Sequence, residues 1–294
     1  MDNKLKGALL VFCGAASYGI LATIVKYANL QNIPTSLLVL FQFTFGILTL
    51  GTLVIVSLRK NKFQLTKKGF AQLATLGTTY GMTSAFYYLS LQYIPVTFAI
   101  ILLMQSIWIT ILIEYIIDKK PISGKKIIGM VLVLGGTILA SRVLESEVVL
   151  NWKGIGLGML SALSFATSMT TAGKVQTQVP YMQRTFSMVF GGMIFILAFW
   201  NTTLFEQTIT TQAVQMGLLL ALFGTVLPPI LFNSGFPKVG LGIGSIIASV
   251  EMPVSILTAY TILGEKLNFL QWIGVIIILF SVILVNLPSK KVES

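Results

Sequence analysis

The carboxylate of Glu251 lies near the middle of an apolar segment that runs from Val239 to Leu263. An ionisable group at the centre of a bilayer costs about 2.5 kcal/mol or more to insert, and it usually faces a cavity or a partner. Glu251 is therefore predicted to exchange protons or to bind an amine, because burial disfavours a charged carboxylate that has no cation beside it. The alternative is a structural glutamate that holds helices together by hydrogen bonds. Other charged residues are near segment ends, where they can reach the interface, such as Glu114, Lys26, Arg142 and Lys174.

Other polar and aromatic residues recur at spacings that place them on one side of a helix. The three sets are Tyr80, Ser84, Tyr87 and Tyr88; Thr97, Gln105 and Trp108; and Ser164, Thr167, Ser168 and Thr171. Aromatic walls with a few polar groups suit a small, partly apolar organic solute. Serine and threonine hydroxyls also bond their own backbone and support helix packing, which is the structural alternative for them. The predicted solute-binding residues are Trp108, Gln105, Tyr80, Ser84, Tyr87, Tyr88, Ser168, Thr171 and Glu251.

Several residue types that enzymes depend on are scarce. The sequence has no histidine and a single cysteine, which removes the commonest general base and excludes disulfides and cysteine metal clusters within the chain. It also lacks the GxxxxGK[ST] loop that would bind ATP phosphates. We therefore expect a protein that is not an enzyme and that carries no metal or cofactor.

Composition predicts that these residues sit in helices embedded in lipid. Hydrophobic residues make up 55% of the chain and charged residues only 10%, against roughly 25% charged in ordinary globular domains. Each predicted span has about the 20 residues needed to cross roughly 30 Å of hydrocarbon as a helix. The sequence indicates ten such spans, near residues 5–28, 34–58, 69–92, 95–117, 124–143, 153–173, 180–200, 212–234, 239–263 and 268–287.

The positive charges predict the orientation. With the N-terminus inside, 16 of the 20 Lys and Arg residues fall in inner segments, and only Lys26, Arg142, Lys153 and Lys266 fall at outer ends. We therefore expect a multi-pass protein of the bacterial cytoplasmic membrane with both termini in the cytoplasm. The net charge of +11 then reflects topology and contact with anionic headgroups. Nucleic acid is not expected as a partner, because no basic stripe is interleaved with aromatic residues.

The sequence repeats itself at a fixed spacing. Residues 94–139 recur at 239–284, a shift of 145, with pairs such as Tyr115/Tyr260 and Gly129/Gly274. A second echo near the start of each half pairs Ser17 with Ser164, at a shift of 147. Five spans per half is an odd number, so the halves, 1–147 and 148–294, are predicted to be inverted repeats. Internal repeats are typical of secondary transporters, whose solute site lies between the repeats near the bilayer midplane.

Glycines and prolines predict local packing and bending. Glycine-rich runs at 154–158 and 240–244, and the pair Gly77 and Gly81, are interpreted as faces for close helix packing rather than nucleotide loops, because no strand precedes them. Pro228-Pro229 predicts a bend in the eighth span.

Three stretches carry a family resemblance: SVEMPV at 249–254, ILGEKL at 262–267 and QWIG at 271–274. Together they resemble the second-repeat pattern of the EamA family in the drug/metabolite transporter superfamily, including the interval from Glu265 to Gly274. Two departures are Lys119-Lys120, where the first repeat usually carries Gly-Glu, and Pro253, which comes one place late. The resemblance implies an all-α fold of ten helices, a central pathway formed by the first, third and fourth helices of each half, and export of amino acids, other metabolites or toxic compounds.

Three functional classes follow. The first is a proton-coupled permease that exports a small organic metabolite, such as an amino acid or related compound, by alternating access. The second is a broad-range efflux pump for lipophilic cations that uses Glu251 as counter-ion, and an importer of a vitamin-like solute ranks below it. The third, an intramembrane enzyme or structural protein, is disfavoured because no nucleophile–base or metal constellation can be assembled. The expected partners are the lipid bilayer, the solute and protons, with a monomer or a homodimer as the alternatives for assembly.

Overall fold

A computed structural model describes residues 2–59, 64–90, 92–94, 96–141, 151–200, 209–264 and 266–287. Helices account for almost all of this part of the chain, and it contains no strand. The helices are α1 (Asn3–Leu30), α2 (Thr35–Leu58), α3 (Lys67–Ser90), α4 (Val96–Met104), α5 (Ser106–Asp118), α6 (Gly124–Ala140), α7 (Trp152–Lys174), α8 (Tyr181–Trp200), α9 (Thr211–Leu220), α10 (Leu227–Val239), α11 (Leu241–Ala248), α12 (Glu251–Leu263) and α13 (Phe269–Asn286). A π-helical segment, Ala221–Val226, joins α9 to α10.

Helices occupy every segment that the sequence predicts to span the membrane, and eight helical stretches are long and apolar enough to do so. The two helices outside this group are α6, with only 17 residues, and α3, which is rich in glycine, threonine and tyrosine. Large apolar side chains such as Leu48, Ile55 and Ile283 are at least 60% exposed on the outer surface. A protein can present such a surface to lipid, whose tails are as apolar as leucine.

The fourth and ninth predicted spans are each interrupted, at equivalent positions of the two repeats. The first breaks at Gln105 and the second at Ser249–Val250, and the shift of 145 places Gln105 on Val250. The second break has a simple cause, because Pro253 has no N–H for the carbonyl of Ser249. That carbonyl accepts instead from the backbone N–H of Met252 at 3.0 Å.

The helices that follow these breaks end in the same way. Lys119 has φ 51° after α5, and Gly264, its repeat equivalent, has φ 70° after α12. A left-handed residue commonly closes a helix, and glycine adopts this conformation without the penalty of about 1–2 kcal/mol that a side chain carries. Lys119, which differs from the glycine of the family pattern, therefore adopts the same left-handed conformation as Gly264, at an energetic cost.

Glycines bring several helix pairs into close contact, as their spacing predicts. A Cβ on Gly77 of α3 would overlap the backbone of Met188 in α8, and a Cβ on Gly191 of α8 would overlap the carbonyl of Ala74. In the pair α6 and α13, Gly274 lies against the carbonyl of Gly136, and the Ser281 hydroxyl donates to the carbonyl of Gly129 at 2.9 Å. The close approach fixes α3 against α8 and α6 against α13.

Candidate functional site

A cavity with a volume of about 100 Å³ lies between the two halves of the chain. That is space for several waters or a small organic solute. Its lining comes from α1–α4 in the first half and from α7, α8, the π-helical segment, α10 and α12 in the second. Neither α6 nor α13 contributes to it. The polar and aromatic lining residues are Tyr18, Gln42, Phe43, Tyr80, Thr83, Ser84, Tyr87, Tyr88, Phe165, Thr225, Glu251 and Ser255.

Glu251 supplies the only charged side chain among the described residues of this lining. It lies in the first turn of α12, where the helix dipole favours a negative charge. Its backbone carbonyl lies against α1, since a Cβ on Gly19 would come within 2.6 Å of that oxygen. Over the described parts of the chain, no side chain forms a hydrogen bond or ion pair with its carboxylate. The carboxylate is thus available to a proton or to a cationic group of a solute.

Aromatic rings from equivalent positions of the two repeats meet at the cavity. Tyr18 of α1 and Phe165 of α7 are related by the shift of 147, and their ring centroids are 6.0 Å apart at an interplanar angle of 83°. Tyr18 also contacts Phe232 of α10, with centroids 5.7 Å apart. Tyr87 and Tyr88 form a further edge-to-face pair at 5.8 Å. Such walls offer apolar surface and π faces that attract cations.

Five of the nine predicted solute-binding residues line the cavity, namely Tyr80, Ser84, Tyr87, Tyr88 and Glu251. They come from α3 and α12, so the structure brings together two segments that are far apart in the sequence. The other four, Gln105, Trp108, Ser168 and Thr171, do not line it. Thr97 was also noted in the sequence, but its side chain is outside the described part of the structure.

Gln105 and Trp108 form a brace at the break between α4 and α5. The Gln105 side-chain amide donates to the carbonyl of Ile101 at 3.0 Å, while its backbone N–H bonds to the carbonyl of Leu102. The indole N–H of Trp108 donates to Oε1 of the same Gln105 at 3.0 Å. Trp108 then packs against a cluster formed by Ile109 of α5 with Ala162 and Ala166 of α7. The first repeat has no proline at this point, and the side-chain hydrogen bonds of Gln105 and Trp108 stabilise the interruption of its helix instead.

Ser168 and Thr171 are buried in α7 and bond to their own helix. The Ser168 hydroxyl donates to the carbonyl of Phe165 at 2.8 Å, and that of Thr171 donates to the carbonyl of Thr167 at 2.9 Å. Ser164 and Thr167 do likewise. These bonds match the structural alternative that the sequence leaves open for hydroxyl residues.

Tyr18, Gln42 and Thr225 line the cavity although sequence reasoning did not select them. The repeat contains a signal for Tyr18, because the shift of 147 pairs it with Phe165. Gln42 is the only glutamine in the second predicted span, which would have drawn attention to it. Thr225 gives no such signal, since threonine is common throughout the spans.

Arg184, which the charge pattern counts among the inner positive residues, is buried at 1% exposure. Its guanidinium donates to the carbonyls of Ala172 at 2.5 Å, Val175 at 3.1 Å and Asn233 at 3.0 Å, with a longer contact to Thr171. Most of these carbonyls belong to the C-terminal end of α7, where groups without a helical partner and the negative end of the dipole favour a cation. Arg184 therefore ties α7 and α10 to α8, behind the cavity wall.

Together, the fold and the site define an all-helical, multi-pass membrane protein with a cavity between two repeated halves. The chain belongs to the EamA-like transporter family, whose model matches residues 5–142 and 152–287, and this family is part of the drug/metabolite transporter superfamily. A solved structure titled "Crystal structure of protein" is similar over 99% of this chain and 100% of its own, with a TM-score of 0.82 and 13% identity. At that identity the likeness shows the shared fold alone. No curated protein matches the chain.

Proposed function

We propose that this protein is a proton-coupled permease that exports a small organic metabolite, such as an amino acid or a related compound. The observation that carries the proposal is the carboxylate of Glu251 in a cavity lined by both halves, with no cation in the described lining. In this proposal the Glu251 carboxylate contacts the solute in the cavity and also binds and releases the proton that moves with or against it. Membership of a transporter family supports the class and disfavours an enzyme.

The proposed architecture has ten crossings, in two inverted repeats of five, in the bacterial cytoplasmic membrane. It requires that α3 and α6 also cross, which is reasonable for helices whose polar residues face protein: Tyr80 and Ser84 of α3 line the cavity. Ten crossings then put both termini on the same side of the membrane, and the bias of Lys and Arg toward inner segments assigns that side to the cytoplasm. Rocking of one half against the other would expose Glu251 to each side in turn.

The proposed solute contacts are the five lining residues Tyr80, Ser84, Tyr87, Tyr88 and Glu251. Gln105, Trp108, Ser168 and Thr171 would act on the solute indirectly, by fixing the end of α4 and the shape of α7 beside the cavity. Besides lipid, solute and protons, the proposal requires no other partner, and it holds for a monomer and for a homodimer alike.

A second candidate is a broad-range efflux pump for lipophilic cations. It is favoured by the aromatic lining, since rings such as Tyr18 and Phe165 stand around a single carboxylate. Cations are attracted to aromatic faces, and the attraction grows when both are desolvated. A panel of solutes separates the two candidates, because a metabolite carrier discriminates among polar solutes whereas a broad pump accepts unrelated dyes.

The test is flux in proteoliposomes against amino acids, vitamins and cationic dyes, with and without a proton gradient. Ser84→Trp fills the cavity and should abolish flux of any solute that uses it. Thr52→Trp is the matched control, because Thr52 is exposed on α2 and bonds its own helix. Equal flux in both variants, at normal yield of folded protein, would show that the solute takes another route.

A further inference from the structure

Two buried polar atoms on the cavity wall have no hydrogen-bond partner among the described residues. They are Oε1 of Gln42 on α2 and Oγ1 of Thr225 in the π-helical segment. The two residues are only 3% and 2% exposed. A buried polar atom without a partner is destabilising, and these two are the ones of this kind in the described structure that belong to cavity-lining residues.

These two residues are neighbours. Helix α2 packs on the π-helical segment through one glycine on each side, because a Cβ on Gly46 would meet Cγ2 of Thr225 at 2.5 Å and a Cβ on Gly224 would meet the amide nitrogen of Gln42 at 2.8 Å. Gln42 and Gly46 are one turn apart on α2. The side chains of Gln42 and Thr225 are therefore neighbours across the contact between α2 and the π-helical segment, and both residues line the cavity.

The local backbone explains why the hydroxyl of Thr225 is free. Other buried threonines, such as Thr110 and Thr185, donate to the carbonyl four residues back, at 2.7 and 2.8 Å. In the π-helical segment the ladder runs five residues back, since the N–H of Leu227 bonds to the carbonyl of Leu222. The wider turn moves the nearby carbonyls out of α-helical register, and π-helical segments of this kind occur frequently at functional sites.

We propose that Gln42 and Thr225 form a second polar subsite, which binds a neutral hydrogen-bonding group of an amine-bearing solute whose ammonium faces Glu251. The inference rests on the proposed function and narrows its substrate class. A solute hydroxyl matches the pair, because it donates to Oε1 of Gln42 and accepts from the hydroxyl of Thr225.

A carboxylate in the same place would face Oε1 of Gln42 and the negative charge of Glu251. No lysine or arginine belongs to the described lining, and the guanidinium of Arg184 is bound to backbone carbonyls behind it. The cavity therefore favours amino alcohols and amino amides over zwitterionic amino acids.

Three related probes test this assignment on the purified full-length protein in lipid nanodiscs, by calorimetric titration. They are phenylalaninol, 1-phenylpropan-2-amine, which lacks only the hydroxyl, and phenylalanine, which carries a carboxylate instead. Wild-type protein should bind phenylalaninol at least about tenfold more tightly than phenylalanine. Thr225→Val and Gln42→Leu should each weaken phenylalaninol binding about three- to tenfold, the range expected for one neutral hydrogen bond, and leave binding of 1-phenylpropan-2-amine within about twofold.

Thr137→Val is the matched control, since Thr137 of α6 is also buried with a hydroxyl that has no partner in the described structure, but it lies outside the cavity. Binding of all three probes should be unchanged in this variant. Because it makes the same substitution at an equally buried site, it separates loss of the subsite from a general effect of removing a buried hydroxyl.

Two results would overturn the subsite while leaving the proposed function intact. One is equal weakening of both amines by Thr225→Val and Gln42→Leu, and the other is wild-type binding of phenylalanine as tight as that of phenylalaninol. If neither amine binds at all, the subsite and the amine class fall together. Flux of another solute from the panel would then show that the carrier function stands without them.

Discussion

Replacement of Arg184 should destabilise the protein more than loss of any other positive charge in the described structure. Arg184→Met keeps much of the side-chain volume but removes every donor, which leaves the carbonyls of Ala172, Val175 and Asn233 without their partner. Each buried carbonyl left without a partner costs about 1–3 kcal/mol, partly offset because a buried charge is removed, so the three together should cost about 3–5 kcal/mol. At about 2–4 °C per kcal/mol for a chain of this size, the melting temperature should fall by about 6–20 °C.

The assay is thermal unfolding of detergent-purified protein, followed by size-exclusion chromatography. Arg184→Lys should fall between wild type and Arg184→Met, because an ammonium keeps the charge but lacks the planar fork that reaches several carbonyls at once. Lys120→Met is the control, since Lys120 is exposed and its loss should shift the melting temperature by no more than about 2 °C. A melting temperature for Arg184→Met within about 2 °C of wild type would refute the argument that this guanidinium holds α7, α8 and α10 together.

Further predictions concern packing, the helix break and topology. Gly191→Ala should sharply reduce the yield of folded protein, because its Cβ would overlap the carbonyl of Ala74, whereas Gly156→Ala meets no atom within 4 Å and should be tolerated. Comparable yields for both variants in detergent extracts would contradict the role of glycine in packing α3 on α8. Trp108→Phe removes the indole donor to Gln105 but keeps a ring that can pack beside α7, so solute affinity in flux assays should stay within about twofold. A tenfold loss at an unchanged melting temperature would put Trp108 in the solute path. For topology, in a Cys13→Ala background, Gln31→Cys should react with an impermeant thiol reagent in intact cells and Lys120→Cys should not. The reverse pattern would invert the proposed orientation.

Helices and their contacts were predictable to different degrees. Long apolar runs place the ten segments in which the helices lie, and the fixed shift of the repeat pairs Gly129 with Gly274 before any coordinates are known. The breaks were not predicted, because periodicity reports which face of a helix is apolar and carries no information on a single missing backbone bond. At Gln105 that bond is replaced by a side-chain amide, which composition cannot distinguish from a polar group aimed into a cavity.

Some residues of the candidate site were predictable from the sequence and others were not. Glu251 stands out from the sequence, because a charge in an apolar segment is conspicuous, and Tyr80, Ser84 and Tyr87 follow from helical spacing on α3. The contribution of Thr225 depends on a π-helical turn that changes the register of its carbonyls, and no local sequence pattern specifies such a turn. The burial of Arg184 is not predictable from the sequence, because position along the chain does not reveal that neighbouring helices enclose the side chain.

The most direct test of the account is proton-driven flux through Glu251→Gln in proteoliposomes. Glutamine keeps the size and hydrogen bonding of Glu251 but cannot titrate, so accumulation driven by a pH gradient should be lost while exchange down a solute gradient persists. Glu251→Ala and the yield of folded protein serve as controls, because a purely structural glutamate would lower the yield in Glu251→Ala and leave transport by Glu251→Gln normal. Wild-type flux in Glu251→Gln across the whole pH range would contradict the central claim that this carboxylate couples solute movement to protons.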